Sequence, residues 1–275
     1  MIKIVVDSSA DCNLQDGIVD VIVPILVSID NVEYKSGTEL TNDKFYELLK
    51  SAKEFPRTSQ PSPQDFIDLF EKAQNDKDQI IYLCLSSRLS GTYQSALMIK
   101  DMVGYDDIYV IDTLGATHII DVLARYARGL IQKGYSAGEI VDMCEELKHK
   151  VKLYAGIDTL EYLYKGGRVS RASATVGEIT GVKPLITVSD GRVEMSGKAL
   201  GKSRAVSALI EKVKNHQINT DFPVFSLYTY GTENCELLEE KLKSLDIKVA
   251  ERLQVGATIG AHVGPGGYAV LFVEK

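Results

Sequence analysis

The segment 85–96, LSSRLSGTYQSA, sets Ser86, Ser87, Ser90 and Thr92 around one glycine and one arginine, Arg88. It follows an apolar run at 79–85 and opens a stretch with helical spacing. Two further hydroxyl-rich segments sit in similar places. Asp7-Ser8-Ser9 ends an apolar run at 2–6, and Thr58-Ser59-Gln60 comes shortly before a helix start. A helix start offers unpaired backbone N–H groups and the positive end of a dipole. Hydroxyls donate and accept, so they suit a carboxyl group in either protonation state. A multiply charged phosphate usually recruits Arg or Lys as well. The chemistry suggested is that of a carboxyl or other anion pocket. Ser and Thr are also ordinary cap and turn residues, and at this point both readings stand.

Two enzymatic readings compete. The segment 196–203, SGKALGKS, differs from a phosphate-binding P-loop in lacking its first glycine, and 108–112 resembles the acidic strand that accompanies one. A P-loop follows a buried parallel strand, whereas 191–195 reads as half of a polar hairpin. The expected role is therefore a turn with its basic side chains in water. A serine hydrolase would join Ser90 to His262. No Gly-x-Ser-x-Gly is present, and no aspartate is paired with His262 by position. His262 lies in the glycine-rich stretch 256–266, where backbones can approach closely; a histidine bonded to backbone is the alternative. His118 reads as core. His149 and His216 fall near helix ends, where a solvated or dipole-compensating histidine is expected. Cys12, Cys84, Cys144 and Cys235 are far apart, so no zinc or redox pattern follows, and Cys84 and Cys144 read as buried thiols.

The elements that must position these residues follow from periodicity. Strands are expected at 2–6, 79–85 and 107–111, alternating with helices at 42–52, 62–75, 91–102, 116–132 and 137–150. Ser62-Pro63-Gln64-Asp65 carries an N-cap, a proline at the first helical position and an acid at the third. A β-rich run at 18–29 is broken by Pro24, and 56–63 reads as a turn-rich break. The alternation predicts a parallel sheet covered on both faces. Loops at the carboxyl ends of such strands converge where ligands bind. The second half has another rhythm. A strand at 152–157 leads to a helix start at 160–164, interrupted by Lys165-Gly166-Gly167-Arg168. A hairpin pairs 184–188 with 192–195 around Ser189-Asp190-Gly191. Helices at 203–215 and 232–244 and runs at 224–230, 249–253, 257–262 and 268–273 complete it. The fold class is α/β with two domains. Residues 1–153 form an α/β/α parallel-sheet domain, and 154–275 an α+β domain with a mostly antiparallel sheet.

The 275 residues are 45% hydrophobic and 25% charged, the balance of a globular chain able to bury a core without staples. A net charge of -7 invites neither nucleic acid nor an anionic membrane surface. The start of the chain lacks the charged region and long apolar stretch of a signal peptide. No apolar run approaches the ~20 residues of a membrane span. A cytoplasmic location is expected.

Several motifs together carry a resemblance. They are Asp7-Ser8-Ser9-Ala10-Asp11, Thr58-Ser59-Gln60-Pro61-Ser62, the segment 85–96, the segment 160–168 (LEYLYKGGR), Lys183-Pro184 and the segment 256–266. In this order and spacing the chain resembles the DegV family of bacterial fatty-acid-binding proteins over nearly its full length. The resemblance implies the two-domain architecture above, with one long-chain fatty acid (such as palmitate, stearate or oleate) in a tunnel between the domains. It implies that Thr58 and Ser90 hold the carboxyl group. His262 and Arg168 complete the polar network at the tunnel mouth, and Ser59, Gly91 and Thr92 support it. It implies no catalytic residue, metal or cofactor in this chain, which is the lipid-carrying subunit of a fatty acid kinase. A separate ATP-binding subunit phosphorylates the presented carboxyl group, and the acyl phosphate goes to phospholipid synthesis. Peripheral membrane contact is confined to lipid exchange. One position departs from the pattern. Members that serve the kinase often carry Arg near the helix after the hairpin, where this chain has Leu200; Lys198, Lys202 and Arg204 lie nearby as a basic docking face or as solvated surface.

The energetics of such a ligand divide between its two ends. Each buried methylene contributes ~0.8 kcal/mol, so a long acyl chain supplies ~10 kcal/mol gross. A neutral carboxyl group buried without partners costs ~2–7 kcal/mol. Affinity thus comes from the wall, and position from the hydroxyls.

Overall fold

The computed structural model describes residues 1–170 and 181–275. Four parallel strands form its first sheet, in the spatial order β2 (Val21–Val23), β1 (Ile2–Asp7), β6 (Gln79–Cys84) and β7 (Ile108–Asp112). The run Gln-Ile-Ile-Tyr-Leu-Cys of β6 is apolar almost throughout because both faces are covered. One face, with Val5 and Tyr82, packs on α2 (Pro63–Asp76) and α3 (Thr92–Val103) through Phe66, Phe70, Ala96 and Ile99. The other face, with Ile4, Val6, Ile81 and Leu83, packs on α4 (His118–Gln132) and α5 (Ala137–Leu147).

The β-rich run expected at 18–29 is two strands in two sheets. Pro24 has no N–H to continue the ladder. The chain leaves β2 there and starts β3 (Leu26–Ile29), the middle of a three-stranded antiparallel sheet with β4 (Val32–Lys35) and β5 (Arg57–Ser59). Asp30 (φ 47°) and Asn31 (φ 65°) close the β3–β4 hairpin, both in the left-handed conformation that tight two-residue hairpins require. The turn-rich break expected over 56–63 therefore contains a strand, and Thr58 is its central residue. Following it, Ser62 and Asp65 cap α2 reciprocally. Ser62→Ala should cost ~1 kcal/mol in urea unfolding, the usual loss for an N-cap hydroxyl.

A six-stranded sheet dominates the second half. Its order is β10 (Arg192–Leu200), β9 (Val182–Ser189), β8 (Val151–Gly156), β13 (Tyr268–Val273), β11 (Val224–Tyr228) and β12 (Val249–Gln254). Only the β11–β12 pair is parallel. The domain boundary expected after residue 153 falls inside β8, whose partners β9 and β13 both lie in this sheet. Helices α7 (Lys202–Lys214) and α8 (Glu233–Lys243) cover one face. The opposite face turns Leu153, Ala155, Ile186, Leu227 and Ala269 toward α4 and the first sheet. The fold class is thus α/β with two domains, as the sequence suggests. Helix α1 (Asn42–Ser51) and two short helices, α6 (Glu161–Lys165) and α9 (Ala257–Val263), sit at the joint.

The near-P-loop segment 196–203 runs along β10, at the antiparallel edge of this sheet, before entering α7. No described helix is long and apolar enough to cross a membrane.

Candidate functional site

The carboxyl ends of β1 and β6 are tied together by Asp7. Its buried carboxylate accepts from the N–H of Leu85 (2.8 Å) and of Ser9 (3.0 Å), from the Ser9 hydroxyl and from Tyr82 Oη (3.3 Å). Burial pushes its pKa up, against the pull of those hydrogen bonds. Ser8 Oγ accepts from Ile25 N (2.9 Å) and meets Thr258 Oγ1 at 3.2 Å. The 7–9 segment is therefore a brace under the site and does not line the cavity. Ser86 and Ser87 are braces too. Ser86 Oγ donates to the Gly191 carbonyl (2.7 Å) at the tip of the β9–β10 hairpin, and Ser87 N donates to Asp112 (3.1 Å).

What remains of the hydroxyl-rich segments opens into one cavity of about 450 Å³. Thr58, Ser59 and Gln60 reach it from β5, Ser90 and Gly91 from the loop before α3, Arg168 from beyond α6, and His262 from α9. Thr58 Oγ1 and His262 Nε2 are 2.8 Å apart, although 204 residues separate them in the chain. Ser90 Oγ lies 2.8 Å from Thr92 Oγ1, which is buried behind it and outside the cavity lining. Gln60 was not among the expected site residues. Its Oε1 accepts from Ser95 Oγ (2.7 Å) and its amide covers Gly91. Only its adjacency to Thr58 and Ser59 hinted at this.

Arg168 supplies the charge. Its Nε and Nη2 donate to the Leu89 carbonyl (3.1 and 2.9 Å), and Nη1 donates to the Gly166 carbonyl. No carboxylate pairs with it among the described residues, and burial lowers its pKa. A half-buried guanidinium held only by carbonyls beside a cavity is an uncompensated cation, which favours an anion in that cavity.

His262 is held neutral. Burial and the nearby Arg168 push its pKa down to about 4. Its Nδ1 is buried with no hydrogen-bond partner. A bare acceptor is cheaper to bury than a bare donor, so the favoured tautomer carries its proton on Nε2. The ring then donates to Thr58 Oγ1, and the Thr58 proton is left free to point into the cavity. A histidine with a depressed folded pKa binds fewer protons than its unfolded counterpart between about 4 and 6.5. Its contribution to stability is complete above 6.5 and is lost as pH falls toward 4. Asp11, whose pKa burial raises to about 6, works in the opposite direction as pH falls. Comparing wild type with His262→Gln isolates the first effect. The wild type should lose up to ~1.4 kcal/mol more per pH unit across that window, measured by urea unfolding at each pH.

Ser90 bonds Thr92, His262 bonds Thr58, and no carboxylate reaches His262 Nδ1. The hydroxyl–imidazole–carboxylate relay of a serine hydrolase is not assembled among the described residues. The rest of the cavity lining is largely apolar and includes Leu89, Leu163, Val188, Val193 and Ile259. The other histidines divide. His118 is core, as expected, with Nε2 at 3.1 Å from the Gln254 carbonyl. His216 corrects the expectation of a solvated ring: it sits between Glu274 (2.6 Å) and Tyr154 Oη (2.7 Å), with its side chain 18% exposed. Cys84 and Cys144 are buried free thiols. No cluster able to hold a metal ion is present among the described residues.

Comparison with known proteins places this arrangement in context. The DegV family model matches residues 1–275. A DegV domain-containing protein of Caldanaerobacter subterraneus is 36% identical over 256 residues, covering 92% of this chain and 91% of its own. A protein of Thermotoga maritima named fatty acid-binding protein is 31% identical over 287 residues, covering 100% of this chain and 99% of its own. A solved structure from Thermus thermophilus, described as fatty acid binding of a DegV family protein, superposes with a TM-score of 0.88 at 28% identity, across 100% of this chain and 99% of that one. Matched from first residue to last in sequence and in fold, this chain belongs to the DegV family.

Proposed function

We propose that the chain binds a single long-chain fatty acid, with its tail against the apolar wall between the two domains and its carboxyl group at the polar mouth. One observation carries the reading: Arg168, without a carboxylate partner among the described residues, lines the same largely apolar cavity as the Thr58–His262 pair. The cavity volume of about 450 Å³ lies in the ordinary range for ligand sites. Thr58 and Ser90 donate to the carboxylate, and Arg168 balances its charge. His262 orients Thr58, while Ser59, Gly91 and Thr92 hold the loops. The domains are taken as 1–153 and 154–275, with the tunnel between them.

The chain is a carrier and not itself the catalyst. It works in the cytoplasm and presents the carboxyl group to an ATP-dependent kinase subunit that forms the acyl phosphate. This reading requires the carboxyl group to lie at the opening of the cavity, because a phosphoryl donor must reach the carboxyl oxygen in line. The segment nearest to a P-loop lies along an antiparallel edge strand, which supports an external source of phosphate. Leu200 is exposed, next to the basic residues at the start of α7.

The test is denaturing extraction followed by mass spectrometry, beside native mass spectrometry of the intact protein. One fatty acid per chain is expected, and its identity names the preferred chain. An empty protein that refuses added oleate would overturn the lipid reading. With lipid bound, ATP alone should give no acyl phosphate in a hydroxylamine trap, and an added kinase subunit should. Acyl phosphate formed by the isolated chain would make it an enzyme.

A further inference from the structure

A second cavity, of about 220 Å³, opens on the far side of α4. It lies between one stripe of that helix and the chain entering β11, so both domains contribute to it. Val122, Tyr126 and Leu130 form one wall, and Phe222, Pro223 and Phe225 the other. The rings of Tyr126 and Phe222 are 5.7 Å apart. The floor is Gly129.

Gly129 needs an explanation. It lies inside the last turn of α4, without a left-handed backbone, and a Cβ built there meets nothing within 4 Å. Neither conformation nor close packing calls for glycine. Alanine would be better by ~1 kcal/mol on helix propensity alone. Glycine leaves empty the space into which a larger side chain would project.

The rim is basic. Arg125 directs its Nε at both oxygens of Asp121 (3.0 and 2.9 Å), and its guanidinium lies over the Phe225 ring at 5.6 Å. Its two terminal nitrogens make no hydrogen bond to a described residue. They form the outer edge of a planar fork, which suits a planar two-oxygen acceptor. Lys133 stands at the other end of the notch with no carboxylate partner among the described residues. It also offsets the negative end of the α4 dipole, as any basic residue there does, so its presence is less specific to the notch than the glycine and the guanidinium.

We propose that the notch over Gly129 is a second binding site, for a small amphipathic carboxylate with an aromatic or short aliphatic body. The carboxylate faces Arg125 and Lys133, and the body lies between the Tyr126–Phe222 pair and the Gly129 backbone. The volume admits roughly seven water-sized groups at ~30 Å³ each, which is a benzoate or a short acyl chain and not a long one. The site is separate from the main cavity and does not depend on what fills that cavity.

The test uses the full chain saturated with oleate, with 4-(trifluoromethyl)benzoate as the probe in a ¹⁹F NMR titration. One saturable site is expected. The uncharged amide analogue should bind at least ~tenfold more weakly, and Lys133→Gln should weaken the acid about threefold. Gly129→Leu, which fills the notch, should abolish binding while leaving the melting temperature equal or higher. Gly129→Ala should weaken binding less, and serves if the leucine variant fails to fold. Absence of saturable binding, equal binding of acid and amide, or unchanged binding in both Gly129 variants overturns the proposal. A raised melting temperature without any probe site would make the notch a packing defect.

Discussion

A protein carrying Thr58→Ala and Ser90→Ala together should fold as the wild type does and, on the proposed function, lose affinity for fatty acid. Both residues line the cavity, and neither side chain is part of the buried core. A hydrogen bond to a charged group is worth ~1.5–3 kcal/mol, so each deletion should weaken binding roughly 10- to 100-fold. Thr58→Ala also strips His262 Nε2 of its partner and leaves both ring nitrogens bare. The combined loss should reach ~10³-fold. Delipidated protein titrated with a fluorescent fatty acid gives the number, and thermal unfolding gives the control. Ser59→Ala, at an exposed position, should stay within about threefold of wild type. Full retention of lipid by the double variant would remove the carboxyl group from this end of the cavity.

Gly166→Ala should do comparable damage from behind the site. Gly166 has an ordinary backbone conformation, with φ at -75°. What it lacks is room. A methyl group there overlaps His262 Nδ1 and lies 2.9 Å from Cε1 of the same ring and 3.1 Å from the Tyr162 carbonyl. The imidazole must turn or shift, and the Thr58 contact breaks with it. Overpacking of this kind costs ~1–3 kcal/mol of stability, and lipid affinity should fall at least ~tenfold. The neighbouring glycine is the internal control, because its requirement is the reverse. Gly167 has φ at +75° and nothing within 4 Å of a Cβ. Gly167→Ala should cost ~1–2 kcal/mol in backbone strain and leave lipid affinity unchanged. Melting temperature and affinity for the two variants separate the effects. Equal affinities would mean that the His262 ring does not position the carboxyl donor.

The parts of this molecule that could be read from sequence are those built by long local patterns. The run that becomes β6 is apolar because both its faces are covered, and the Ser62–Asp65 box marks the start of α2. The three-stranded sheet was hidden for the opposite reason. Two of the three residues of β5 are exposed and all are polar, and three of the four in β4 are exposed, so neither shows an apolar alternation. That matters for function, because Thr58 sits on β5. Hydroxyls that line a pocket and hydroxyls that brace a loop look alike in sequence; Ser8 and Ser86 are of the second kind, Thr58 and Ser90 of the first. The Thr58–His262 pairing has no local signature. The resemblance between whole motifs assigns both residues to one site but does not pair them. His216 lies just past the end of α7, where a helix-end histidine is expected, but that position says nothing about Tyr154 and Glu274, which approach it from β8 and from just past β13 and take it out of water.

The position of β13 bears on how the chain leaves the ribosome. It is the last described strand to be synthesised, yet it lies inside the sheet between β8 and β11. Its pairing with β8 joins residues roughly 110–120 positions apart. Until β13 emerges, both neighbours display unpaired backbone edges, and the apolar face that should close against α4 stays open to water. From the synthesis of β11 until that of β13, nascent chains of this protein therefore carry a divided sheet and an open apolar face. That is the interval in which a holdase would bind them, and in which stalled synthesis would end in aggregation.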